Sequence, residues 1–220
     1  MSILPYSPPR DMAGKYALRG SYRLAVSSGA VTLIAARTAS AGQLLTMRNP
    51  STTVALYLKR VAARFIATTA YGTAQETGTD LILARTYTVN GTNGTAVDVG
   101  STVANTGTLA ASFGTSVITA GCTRVADTAA ITAGTHTLDA NPIGVVSGWT
   151  AAIGIMVPEA TSGAASQFAD LWDYRKSAHG MPIKLVQDEG FVVRNLVLMG
   201  ATGVGRWDFL VEWDEGIAES

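Results

Sequence analysis

Few side chains in this sequence could do chemistry, and their spacing decides what each could do. His136 and His179 are the only imidazoles. Neither has a Cys or a second His at ligand spacing, so no metal centre is expected. Cys122, in Ala-Gly-Cys-Thr-Arg, is the single thiol. It has no partner for an intramolecular disulfide, and it reads as a small packed side chain rather than a nucleophile. A serine nucleophile needs an ordered base, and no Gly-x-Ser-x-Gly elbow is present to present one.

Carboxylates offer the next possibility. Asp170 and Asp173 stand three apart, and Glu212, Asp214 and Glu215 cluster near the C-terminus. Two such groups flanking a sugar bond would make a glycosidase. The plainer reading is preferred: a solvated helix face for the first pair and the polar face of a strand for the second group. Gly200, Gly203 and Gly205 imitate a phosphate loop, but no Gly-Lys-Ser/Thr ending follows and Arg206 opens a strand, so a hairpin connection is expected. Asn90-Gly91-Thr92 and Asn93-Gly94-Thr95 match the glycosylation pattern. With no secretory leader readable, they are expected to be tight turns. Arg10, Lys15, Arg19 and Arg23 are spread out without interleaved aromatics, a poor footprint for nucleic acid. The expectation is therefore a non-enzymatic chain with no cofactor and no metal.

The elements that would hold these groups are mostly strands. Pro5, Pro8 and Pro9 forbid regular pairing, so residues 1–15 read as an extended N-terminal arm. Residues 16–220 read as one all-β domain. Tyr16–Val26, Ala30–Ala36, Gln43–Met47, Leu81–Val89, Ile131–Leu138 and Ala151–Val157 are strand-like. Thr53–Thr69 is longer and of mixed parity, which calls for a bulge or two strands. One short amphipathic helix is expected over Ser162–Ala178, from Ala165, Phe168, Leu171, Trp172 and Arg175 at helical spacing, with Arg175 and Lys176 in the last turn and Gly180 beyond. At the end, Pro182–Val186, Phe191–Met199 and Arg206–Asp214 read as a strand meander. In the last, Trp207, Phe209, Val211 and Trp213 share one parity, the mark of a half-buried strand whose register the large side chains decide. Phe191–Met199 is apolar on both parities apart from Arg194 and Asn195, as a central strand of a sandwich or barrel would be.

Composition points to assembly. Ala, Thr and Gly fill 84 of 220 positions and only 15% of residues are charged, with sixteen bases balancing sixteen acids. Such a surface offers little repulsion between copies. The balance hides a partition: residues 1–85 hold ten bases and three acids, net +7, leaving net −7 on residues 86–220. A basic half meeting an acidic half, within one fold or between copies, is the favoured explanation. Residues 86–123 form a Gly/Thr/Ala-rich insertion whose one charged side chain is Asp98. It is expected to hold short strands or to pack on other subunits. No run of 18 apolar residues suggests a membrane span.

The segment Asp188-Glu189-Gly190-Phe191-Val192-Val193-Arg194-Asn195, followed by Met199-Gly200-Ala201-Thr202-Gly203 and by Trp207 to Glu215, resembles the endings of structural proteins from tailed bacteriophage virions. The resemblance covers about forty residues. It implies a β-sandwich, jelly-roll-like subunit built into a particle as a head or tail component, with other virion proteins as partners and the virion as location. The expected function is structural: a homo-oligomer decorating or stabilising the particle, with Trp207, Phe209, Val211, Trp213 and Phe191 as core and Arg10, Arg19 and Arg23 as assembly candidates. The alternative is a carbohydrate-binding or host-recognition module, in which Trp149, Trp172, Trp207 and Trp213 stack on a glycan.

Overall fold

Strand β13 (Val204–Ile217) contains the aromatic row, and Trp207, Phe209, Val211 and Trp213 are all 0–1% exposed. Burying side chains of this size contributes roughly 1.5–3 kcal/mol each, so the parity that turns them inward wins. The structure, a computed structural model, describes residues 18–31, 42–69, 71, 73–97, 99, 106–108, 115–119, 121–132, 134–150, 168–178, 180–198 and 203–217. The N-terminal arm and Ala151–Val157 lie outside them.

Two antiparallel sheets pack face to face. Sheet A has β13 at its centre, between β1 (Leu18–Ser27) and β3 (Val54–Thr69). Beyond β3 lie β10 (Ala169–Asp173) and β11 (Ile183–Leu185). Sheet B has β12 (Gly190–Asn195) between β2 (Gln43–Arg48) and β4 (Gln75–Val89), with β8 (Thr135–Leu138) and β9 (Gly144–Thr150) on the far edge of β4. The first strand therefore pairs with the last, the second with the next to last, the third with β10 and β11, and the fourth with β8 and β9. One long antiparallel ribbon has been wound so that β13 lies between β1 and β3 while β12 lies between β2 and β4. That winding is a jelly roll.

The insertion follows the same plan. Its described residues hold β5 (Thr95–Val97), β6 (Thr106–Thr108) and, at its end, β7 (Thr123–Val125). Strands β5 and β7 extend sheet B beyond β2, and β6 pairs with β1 at the edge of sheet A.

The main core lies between the sheets, with Tyr22, Leu24, Phe65, Trp207 and Trp213 from sheet A against Leu45, Met47, Leu81, Leu83, Phe191 and Val193 from sheet B. Tyr22 stacks on Trp213 with ring centroids 5.5 Å apart. Sheet B also buries its other face, where Ile82, Ala84, Tyr87 and Val192 form a second small cluster. This is why β12 is apolar on both parities.

Two local expectations are corrected, and the bulge expected in Thr53–Thr69 is found. Over the described part of the expected helix, Ala169–Asp173 is a strand on β3, followed by a short 3-10 turn at Tyr174–Lys176. A register shift between Asp170 and Trp172 breaks the alternation there, so Leu171 is core and neighbouring Trp172 still packs against it. Two adjacent apolar residues on one side look helical over so short a stretch. Residues 162–167 lie outside the described residues. The mixed parity of β3 belongs to one sixteen-residue strand with a shift opposite Glu212 and Trp213, placing Leu56 and Leu58 and then Val61, Ala63 and Phe65 in the core. Lastly, β11, β12 and β13 form no meander, because successive strands alternate between sheets. The connection through Gly203 and Gly205 crosses the sandwich rather than turning a hairpin, and a Cβ at either glycine would run into the Tyr71 or the Phe65 ring.

Candidate functional site

The outer face of sheet A gathers most of the charges that the sequence singles out. Alternation from the inward residues of β1, β13 and β3 turns Arg23, Glu212 and Arg60 outward in one row. Arg23 donates to Glu212 at 2.8 Å. Arg60 donates to Asp170 at 2.6 Å, and Lys176 bonds the same carboxylate. Neighbouring rows repeat the motif. Ser21 and Lys59 reach Asp214 at 2.5 and 3.2 Å, and Arg64 reaches Asp208 at 2.7 Å while its guanidinium lies over Phe168. Arg175 holds Asp173 through two guanidinium contacts of 2.9 and 2.8 Å and its own backbone N–H at 3.0 Å. The Arg175 guanidinium accordingly holds the Asp173 carboxyl below its ordinary pKa.

These pairs are layered, with the acid beneath and the base above. Side-chain exposure is 50% for Arg23 over 12% for Glu212, 56% for Arg175 over 4% for Asp173, and 70% for Lys176 over 13% for Asp170. Exposed pairs of this kind contribute about 0–1 kcal/mol each, so the network sets register and surface potential more than stability. Asp170 and Asp173, considered above as a helical pair, are held by these cations within the strand and the 3-10 turn.

The charge partition now has a physical location. All six bases of residues 1–85 with described side chains (Arg23, Arg48, Lys59, Arg60, Arg64 and Arg85) pair with acids from residues 86–220. Jelly-roll winding lays the first half of the chain against the second along its main ladders, so a basic half and an acidic half meet within the fold. The described reverse pair is Asp80 with Arg194, 3.0 and 2.7 Å apart and almost fully buried between β4 and β12. Arg194 is the exception noted in an apolar strand, and a charge in such a place demands a buried partner.

Glu215 corrects the polar-face reading of the terminal carboxylates. It shares the parity of Trp213, is 0% exposed, and accepts from the Ser116 hydroxyl at 2.5 Å and the Val117 N–H at 3.0 and 3.1 Å. It ties the end of the insertion to β13.

A second polar group sits on sheet B. Arg48 donates to Asn90 at 3.2 Å and to Asp188 at 3.3 Å, and its guanidinium lies 3.7 Å from the sulfur of buried Cys122. Asn90 in turn donates to the Gly121 carbonyl, so its Asn-Gly motif is held inside a network. Asn93 and Gly94 both adopt φ of +62°, the left-handed backbone of a tight turn. Nearby, His136 lies against Tyr87 at 4.7 Å and its Nε2 is 3.3 Å from Gln43 Nε2, while its buried Nδ1 has no hydrogen-bond partner. Burial raises the Tyr87 phenol pKa and lowers that of the His136 imidazole from its ordinary 6.5.

The His136 shift has a definite sign. The unfolded chain takes up a proton near pH 6.5 that the folded chain resists, so this group's share of stability is lost as pH falls below about 6.5. Urea midpoints measured between pH 8 and pH 5 are expected to drop, and His136→Gln is expected to flatten that slope. An unchanged slope in the variant would place the effect elsewhere.

The other sequence candidates are placed as follows. Phe191, Trp207, Phe209, Val211 and Trp213 lie in the core, so two of the four indoles considered for glycan stacking are closed to ligand. Trp172 is partly buried. Arg10, His179, Gly200 and the side chains of Arg19 and Trp149 lie outside the described residues. Among the described residues, no three His, Cys, Asp or Glu side chains are grouped to hold a metal ion. Arg48, Asp80, Tyr87 and Gln43 carry no sequence signal of their own, because only the pairing of β2, β12 and β4 brings them together.

The chain matches no protein-family model, and no curated protein or solved structure is significantly similar to it.

Proposed function

We propose that this chain is a non-enzymatic structural subunit of a bacteriophage virion, located in the particle and acting through self-association and lateral contacts with other virion proteins. One observation carries the reading: the fold neutralises its charges from within, every described base of the first half being matched to an acid of the second. With only 15% of residues charged and a net charge of zero, copies can approach without strong repulsion. Val89, Val145, Met181, Leu198 and Ile217 are each at least half exposed and add apolar contact area. In a symmetric particle each modest contact is repeated many times. The jelly roll is compatible with this role but does not choose it, since the same fold serves lectins and cupins. Confinement of Trp207 and Trp213 to the core weakens the glycan-binding alternative.

Sedimentation velocity over a wide concentration range should show mass-action association, and peptides of the chain should be found by mass spectrometry in purified particles. A chain that stays monomeric throughout and is absent from particles would overturn the reading.

A further inference from the structure

Two identical tripeptides stand side by side in the chain and meet opposite surroundings in the fold. Asn90-Gly91-Thr92 and Asn93-Gly94-Thr95 each place a glycine after an asparagine. That order permits a self-modification, because the nitrogen of a residue without a Cβ can approach the carboxamide of the asparagine before it. Since the local sequence is the same, tertiary structure decides which pair reacts.

Asn90 is held at both ends of its carboxamide. Arg48 Nε donates to its Oδ1 at 3.2 Å, and its Nδ2 donates to the Gly121 carbonyl. Gly91 is buried, with its backbone packed so close to the Thr132 carbonyl that a Cβ would not fit. Asn93 is exposed, and its Nδ2 donates to the Thr132 hydroxyl at 2.9 Å, an exposed bond that water can replace. Asn93 and Gly94, both with φ of +62°, form the bend between the Thr92–Thr132 bridge and β5 and lie outside either ladder. Arg124 Nε donates at 3.0 Å to the Asn93 carbonyl, the oxygen of the peptide group whose nitrogen must ionise. A cation at that oxygen stabilises the amide anion.

We propose that Asn93 of the folded chain is a deamidation site that converts through a cyclic imide, while the contacts from Arg48 and Gly121 protect Asn90. The Gly94 N–H gives its proton to a solvent base and the nitrogen attacks Asn93 Cγ. The N–Cγ bond forms, the Cγ–Nδ2 bond breaks, and Nδ2 leaves as ammonia with a proton from water. Water then opens the imide at either carbonyl. One opening gives aspartate; the other gives isoaspartate, in which the main chain runs through the former side chain. Either product adds a negative charge to the bend that Arg124 holds. This chemistry is independent of the assembly proposed above.

The test compares the two asparagines within one molecule. The unaltered chain is incubated at mildly alkaline pH, folded and in urea, and electron-transfer fragmentation of the tryptic peptide Thr86–Arg124 reads conversion at each position. In urea both should convert at similar rates. In the folded chain Asn93 should convert about tenfold faster than Asn90 or more, because two side-chain bonds must be released before Asn90 can close its ring. Arg48→Met, shown to be folded by circular dichroism, should speed Asn90 and leave Asn93 unchanged. Arg124→Gln should slow Asn93 several-fold in the folded chain and have no effect in urea; a faster reaction would overturn the role given to this guanidinium. Equal conversion at the two positions of the folded unaltered chain, faster conversion at Asn90, or none at Asn93 while the urea sample converts, would overturn the proposal without any variant.

Discussion

Arg194→Met should lower folding stability by about 3–5 kcal/mol, because it removes the guanidinium that neutralises Asp80 in the interior of sheet B. Asp80 is 0% exposed and its carboxylate faces Arg194 through two parallel contacts of 3.0 and 2.7 Å. A buried carboxylate cannot recover in a low-dielectric interior the solvation it had in water. For a chain of this length the loss corresponds to a fall in Tm of roughly 6–20 °C. The double variant Asp80→Leu/Arg194→Met should be closer to the unaltered protein than either single change, since replacing a whole buried pair by apolar side chains is often neutral. The check is a double-mutant cycle from urea midpoints. An Arg194→Met loss below about 1 kcal/mol would mean that this pair is solvated in solution.

Trp213→Ala should produce a loss of similar size, about 3–5 kcal/mol. The indole is 1% exposed, stacked on Tyr22, with its Nε1 3.4 Å from Glu215. Truncation leaves a cavity under three strands, and the Glu215 bond that holds the insertion loses a neighbour. Leu210, one of the outward residues of the same strand, provides the contrast. Its replacement by alanine should change stability by only about 0.5 kcal/mol. The pair of variants reads the parity of β13 directly, and iodide should fail to quench Trp207 or Trp213 in single-tryptophan forms. Equal costs at positions 210 and 213, or strongly quenched emission, would contradict the inward row.

The parts of this architecture that could be read in advance are those where local pattern and global burial agree. Trp207 to Trp213 alternate because one face of β13 meets the core, and Phe191 to Val193 are apolar on both parities because sheet B buries both faces. The failures have the opposite cause. Leu171 and Trp172 imitate a helix because a register shift, visible only opposite β3, puts neighbours on one side. The glycines before β13 suggest a hairpin because turn chemistry is local, whereas the destination of the next strand is not. Glu215 looks like one more solvated carboxylate until its shared parity with Trp213 is combined with Ser116 and Val117 arriving from far along the chain.

The unequal charge of the two halves is a property of residue order alone, as are the identity of the long strands and the inward parity of the aromatic row, since each follows from neighbours along the chain. Which acid meets which base, and which of them stays exposed, depends on the winding that lays β1 on β13 and β2 on β12. Contacts between residues a hundred or more positions apart have no local signature, and burial acts on them only once both sheets have closed.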